Sequence, residues 1–173
     1  AMGSHGGATA EGQKGILTGY GITEEAIGVP IKASMDVVLV GQMDDAAKTP
    51  IYCDKYAAEA DGIILFNKVK PHTDFKGYHE SGLCKMIAIG IAKHVGCSWF
   101  HKQGVDTFGE RIPIVAKEFL SKMNVVMGIG VVQNAYDDNY TDYQDTIPHL
   151  FYYNAFLMLS NGMEAKVGTL GSK

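Results

Sequence analysis

Four of the six histidines, two of the three cysteines and a lysine set among apolar residues fall between Lys70 and His101. Side chains of these types transfer protons, ligate metals and form covalent links, so chemistry is to be sought here first. His72 follows Lys70-Pro71 in a polar loop, beside Thr73 and Asp74. A loop histidine ordinarily does no more than hydrogen-bond, but one just past the carboxyl end of a strand is well placed for acid/base work. Lys85 lies between Gly82-Leu83-Cys84 and Met86-Ile87-Ala88-Ile89. Its stem must cross apolar surroundings, either as a lysine extending its amine to water or as a desolvated amine of lowered pKa suited to covalent attachment. His101 follows Trp99-Phe100. It is either a partly buried packing residue or, as a neutral imidazole, a metal ligand.

The remaining candidates carry less. His79, Glu80, His94 and His101 share no short ligand spacing of the H-x-x-x-H kind, so they do not spell a preformed zinc site. Cys84 and Cys97 are thirteen residues apart and read as buried small apolar side chains. There is no phosphate-loop lysine motif and no dinucleotide fingerprint, and His149 is assigned no role. At the start of the chain, Ser4-His5-Gly6-Gly7 runs into Thr9-Ala10-Glu11, a helix cap followed by an acidic first turn. His5 then sits in a glycine-rich loop at a helix N-terminus, a usual place to meet a substrate or phosphate. Met2 to His5 also has the look of an expression-vector remnant.

The elements that must position these residues follow from periodicity and punctuation. Helices are predicted over residues 9–17, stopping at Gly19 or Gly21, and over 81–93 and 106–123, the last interrupted near Pro113. Residues 54–60 form one or two helical turns capped by Asp54. Strands are predicted over 35–40, 49–53, 62–66 and 125–132. The run 62–66 is continuously apolar, as in a parallel sheet covered on both faces. This alternation predicts an α/β fold, with a mostly parallel sheet flanked by helices in Rossmann-like layers and the site at the carboxyl ends of the strands. Residues 1–134 form the core domain. Residues 135–173, acidic and tyrosine-rich before an apolar aromatic stretch, are an appended segment drawn as a helix over a sheet face.

Composition narrows the classes. The chain has 173 residues, enough for one well-buried domain, with 46% apolar and 20% charged residues. A net charge of −4 with no basic run argues against nucleic acid or an anionic membrane as partner. No apolar stretch reaches bilayer length and no secretory leader is visible. Three widely spaced cysteines do not make a disulfide framework, so the expected compartment is a reducing cytoplasm.

Several of these stretches, in the same order, resemble motifs of the nickel-pincer-nucleotide-dependent lactate racemase family. Gly3-Ser4-His5 followed by Thr9 and Glu11 is similar to the family's Gly-Thr-His segment, which favours the native reading of the first residues. Residues 60–72 resemble its strand ending in Pro-His, and Ser81-Gly82 with Lys85 and Gly90 its glycine-rich lysine motif. His101, sixteen residues after Lys85, stands where the family has its nickel-binding histidine. The resemblance implies an isomerase that racemises or epimerises a small 2-hydroxy acid by hydride transfer to a nickel-pincer nucleotide. By the same resemblance, Lys85 tethers the nucleotide at the motif containing Gly82, His101 ligates the nickel, and His5 and His72 are the acid/bases on either face of the substrate. Maturation enzymes that build the cofactor are implied as partners, and a homo-oligomer is left open.

Two departures accompany the likeness. The loop between His72 and Lys85 is about three residues longer than in lactate racemase, holding His79 and Glu80, which leaves the substrate open. The family's regions before the first histidine and after the core are not recognisable, so the chain is expected to be a core fragment, inactive alone if those regions are needed. Two other readings stay beside the racemase: a non-catalytic metal- or ligand-binding domain, and a zinc-assisted hydrolase using His72, His79 and His101.

Overall fold

The computed structural model of the chain describes residues 3–70, 80–132, 157–160 and 165–168, the last two segments and Val132 by backbone alone. Its core is a parallel pair of strands, β3 (Ile63–Val69) and β4 (Val125–Val132), paired from Ile63 opposite Val125 to Val69 opposite Val132 with one register shift between Ile63 and Ile64. β5 (Leu157–Ser160) lies parallel to β4, and β6 (Ala165–Gly168) closes the sheet antiparallel to β5. The tail expected to lay a helix over the sheet thus contributes two strands to it. Residues 133–156, which hold most of that tail together with His149, lie outside the described residues, as do His72 and His79.

Two strands depart from the expected parallel arrangement. β1 (Val37–Gln42) and β2 (Pro50–Asp54) pair antiparallel in a sheet of their own. Only residues 43–49 join them, and a parallel pairing needs a crossover of a dozen residues or more. The fold is therefore mixed α/β, parallel across β3, β4 and β5 only.

Short helices precede the core. α1 (Ala10–Gly19) is capped by Thr9, whose Oγ1 accepts the Gly12 N–H at 3.0 Å. α2 (Glu24–Ile27) follows, and α3 (Lys55–Ala58) starts at the predicted cap, Asp54, which accepts the Ala57 N–H at 3.0 Å. Between β3 and β4 the chain makes α4 (Gly82–Lys85), a π-helical segment (Met86–Gly90), α5 (Lys93–Lys102), a single 3-10 turn (Val105–Thr107) and α6 (Phe108–Lys122). The helix predicted over 81–93 is thus broken, and α5 was not foreseen. α6 runs unbroken through Pro113, where an interruption was expected. Its buried stripe of Ile112, Val115, Ala116 and Phe119 packs on the core and outweighs the missing hydrogen bond.

Phe100, Phe108 and Phe119 anchor that core, each burial contributing about 1.5–3 kcal/mol. Phe100 and Phe108 meet edge to face, with ring centroids 5.7 Å apart. The helices cover one face of β3. Ile63, Leu65 and Val69 are buried, whereas Ile64 and Phe66 are each 59% exposed. The continuous apolar run of β3 was read as a strand covered on both faces; among the described residues it is covered on one.

Candidate active site

Lys85, His94 and His101 lie on the broken helix that follows β3, and the loop carrying His5 docks on it. The start of that helix is pinned to the strand. Asn67 Nδ2 donates to the Gly82 carbonyl at 2.8 Å, and the Lys70 N–H donates to Ser81 Oγ at 2.7 Å. His72 itself lies outside the described residues, but both ends of the loop carrying it are thereby fixed at this edge of the sheet. Gly82 is buried and has φ +80°, a left-handed conformation that a side chain disfavours. Leu83 then packs over Gly128 of β4, where a β-carbon would collide with it.

Lys85 is the last residue of α4 and is half-buried. Immediately after it the helix widens: the Ile91 N–H reaches back five residues to the Met86 carbonyl at 2.8 Å. Such π segments are rare and recur at functional sites. The chain then turns at Ile91 and Ala92, and α5 opens on Lys93 with φ +53°. In one straight α-helix, sixteen residues would hold positions 85 and 101 about 24 Å apart along the axis. The break removes that constraint.

His101 lies in the last turn of α5 with its imidazole exposed, 5.3 Å from the Phe108 ring, edge to face. The carbonyl ends of a helix at that point favour a positive charge nearby. It brings a single nitrogen: among the described residues no three His, Cys, Asp or Glu side chains come together to hold a metal. A lone imidazole of this kind could complete the coordination of a metal carried by a bound organic group. His94, also exposed, is taken up by Ser98 Oγ at 3.2 Å.

His5 is exposed, and its loop is docked onto this same helix. The Gly3 N–H donates to the Gly90 carbonyl at 3.0 Å, and Ser4 Oγ lies 3.9 Å from Cys97 Sγ. His101 is one turn beyond Cys97 on the same side of α5. The structure therefore attaches the His5 loop between Lys85 and His101, built into the fold from Gly3 onward. Two of the three cysteines, Cys84 and Cys53, are held toward the neutral thiol. Burial pushes the Cys84 thiol up to about 11, and burial with the neighbouring Asp54 charge pushes Cys53 to about 12. Cys84 lines an apolar cavity of about 810 Å³ together with Leu83, Ile87, Leu120 and Met127. Among the described residues, Lys117 is the one charged side chain that lines it.

Residues that the sequence did not single out hold the arrangement together. Gln13 and Lys93 are each 3% exposed, and with Asp54 they form a buried polar chain beneath the His5 loop. The available signal was Lys93 itself, a lysine directly after Ile89-Gly90-Ile91-Ala92, in as apolar a context as Lys85.

A mixed α/β core with its candidate groups on a broken helix at the carboxyl end of a parallel strand defines the class of the protein. Residues 1–111 match the model of the lactate racemase N-terminal domain, well over half of the chain, and the chain belongs to that family. No curated protein and no solved structure matches it.

Proposed function

We propose that the protein racemises or epimerises a small 2-hydroxy acid, with residues 1–134 as its catalytic core. One observation supports this reading: the His5 loop is docked on the broken helix whose segments bear Lys85 and His101, so the groups proposed here as acid/base, covalent anchor and metal ligand are attached to one element. Family membership supports the same reaction class. Lys85, in the motif that Gly82 opens, would tether a nickel-pincer nucleotide, and His101 would ligate its nickel. Bound there, the group would accept hydride from the hydroxyl-bearing carbon and return it to either face.

The chain's own residues supply the rest. Inversion at that carbon requires the hydroxyl proton to leave as hydride departs and to be restored afterwards. His5 takes or gives that proton from one side and His72 from the other, since imidazoles titrate close to neutral pH. Cofactor-building enzymes are the partners this proposal requires, and the cytoplasm is the compartment it assumes. No helix among the described residues is long and apolar enough to cross a membrane.

The test is co-expression with the cofactor's biosynthetic enzymes, followed by intact mass, peptide mapping and metal analysis. A nucleotide-sized adduct on Lys85 with near-stoichiometric nickel is the expected result, followed by interconversion of 2-hydroxy acid enantiomers. A folded chain that stays unmodified at Lys85 would leave the lysine a structural role and overturn the reading.

A further inference from the structure

Lys93 is buried, yet its backbone lies at φ +53°, where a residue with a β-carbon is disfavoured and glycine is at ease. Backbone of this kind persists where the surroundings insist on the side chain. Its ammonium lies 3.2 Å from Asp54 Oδ2 and donates to Gln13 Oε1 at 2.8 Å. Asp54 is fixed in turn by the Ala57 N–H on its other oxygen. A lysine only donates, so Gln13 must face it with the carboxamide oxygen, which sends the NH2 group the other way. There Nε2 donates to the Gly3 carbonyl at 3.0 Å and to the His5 carbonyl at 3.3 Å. Each amide hydrogen has one acceptor, and both acceptors belong to the loop that carries His5.

We infer that Lys93 is a positioning residue for His5, acting through Gln13: the buried Lys93–Asp54 pair orients the Gln13 carboxamide, and the carboxamide holds the His5 loop on the broken helix. This role presupposes the acid/base reading of His5. It involves no contact between Lys93 and substrate or cofactor.

Gln13→Glu separates this role from a merely structural one. The carboxylate keeps the volume of glutamine and remains a partner for Lys93, but it sets an acceptor against the Gly3 and His5 carbonyls, so the loop is released while the ion pair is kept. A double variant, Lys93→Met with Asp54→Asn, takes out both charges together and leaves Gln13 without its orienting donor. Amide hydrogen exchange in the full chain, resolved by NMR, reads both variants without cofactor or substrate. The amides to follow are Gly3, bonded to Gly90, and Ala8 and Thr9, bonded to Ser4 and Gly6.

Exchange at these positions is expected to rise tenfold or more in either variant, with Ile63–Val69 and Phe108–Lys122 unchanged. No rise at Gly3, Ala8 and Thr9, or an equal rise throughout, overturns the inference. In cofactor-loaded enzyme, Gln13→Glu should lower kcat tenfold or more with KM within twofold; a change in KM alone also overturns it. If His5→Ala leaves the loaded enzyme at full rate, it is the acid/base reading that fails, and the exchange result still shows whether Lys93 and Gln13 hold the loop.

Discussion

The amide of Gly3 donates to the carbonyl of Gly90 at 3.0 Å, tying the residue two before His5 to the last residue of the π segment that follows Lys85. The bond makes the helix break and the N-terminal loop one mechanical unit. Ser4 beside Cys97 extends the attachment onto α5, toward His101. Three candidate groups, far apart in the sequence, are thus referred to one irregularity in one helix.

Lys85→Arg should abolish covalent loading while leaving the fold intact. Arginine keeps the charge and the apolar stem at a half-buried position but cannot form the proposed link. After co-expression with the maturation enzymes, the variant's intact mass should equal that of the bare chain, with an unchanged circular dichroism spectrum. An adduct of the wild-type mass on the variant would place the tether elsewhere.

His101→Ala should separate metal from nucleotide. The ring is exposed and touches Phe108 edge to face, so its loss should change stability by less than about 1 kcal/mol. Nickel measured in adduct-bearing protein should drop to a tenth or less of the wild-type content. Retention of full nickel would mean that another group is the ligand.

His5→Gln and His72→Gln should each lower the rate of enantiomer interconversion by about 10²–10⁴, the usual contribution of a general acid or base. Each variant should still carry the adduct and nickel. Near wild-type rates in both would remove the paired acid/base scheme.

Gly82→Ala should be destabilising despite its small size. At φ +80° an L side chain costs about 1–2 kcal/mol, equivalent to roughly 2–8 °C in melting temperature for a domain of this size. Calorimetry of the variant measures it directly, and an unchanged melting temperature would show that the backbone there relaxes freely.

Cys84 should be alkylated slowly near neutral pH and faster as the pH rises. With its thiol pushed up to about 11, only about one molecule in a thousand is thiolate at pH 8. The cavity that it lines gives a small reagent access, so the labelling rate by mass spectrometry should climb about tenfold per pH unit from 8 to 10. A rate already at its plateau by pH 8 would mean that the thiol is not desolvated.

The two central strands were legible because an apolar run ended by polar residues has few other uses, and 125–132 emerged with its predicted bounds. The antiparallel pairing of β1 and β2 was also legible in principle, from the seven residues between them. Other features had no local signal. α5 contains Val95, Gly96, Trp99 and Phe100, none a strong helix former, and is held by burial of Gly96, Cys97 and Phe100. Gly96 fits there because a β-carbon would collide with Ala92. The π segment depends on packing from several directions, which a single stretch of sequence does not encode. Of the site, Lys85, Gly82, His5 and His101 could be picked out by residue type and order. The buried Gln13 could not, because what distinguishes it is Lys93, eighty residues away, and Lys93 offered only its apolar neighbours as a signal.

The π segment has a consequence for how this protein tolerates insertions and deletions. Its hydrogen bond closes over five residues where an α-helix closes over four, so it holds one residue more than a regular helix would. Removing any one of Met86–Gly90 would let this segment close regularly and would turn its exit toward α5 by about 100° around the axis relative to Lys85. The aim of position 101 with respect to position 85 is therefore fixed by a count of residues as much as by their chemistry. A single deletion here, conservative by composition, would leave every proposed functional residue in the chain and re-aim His101.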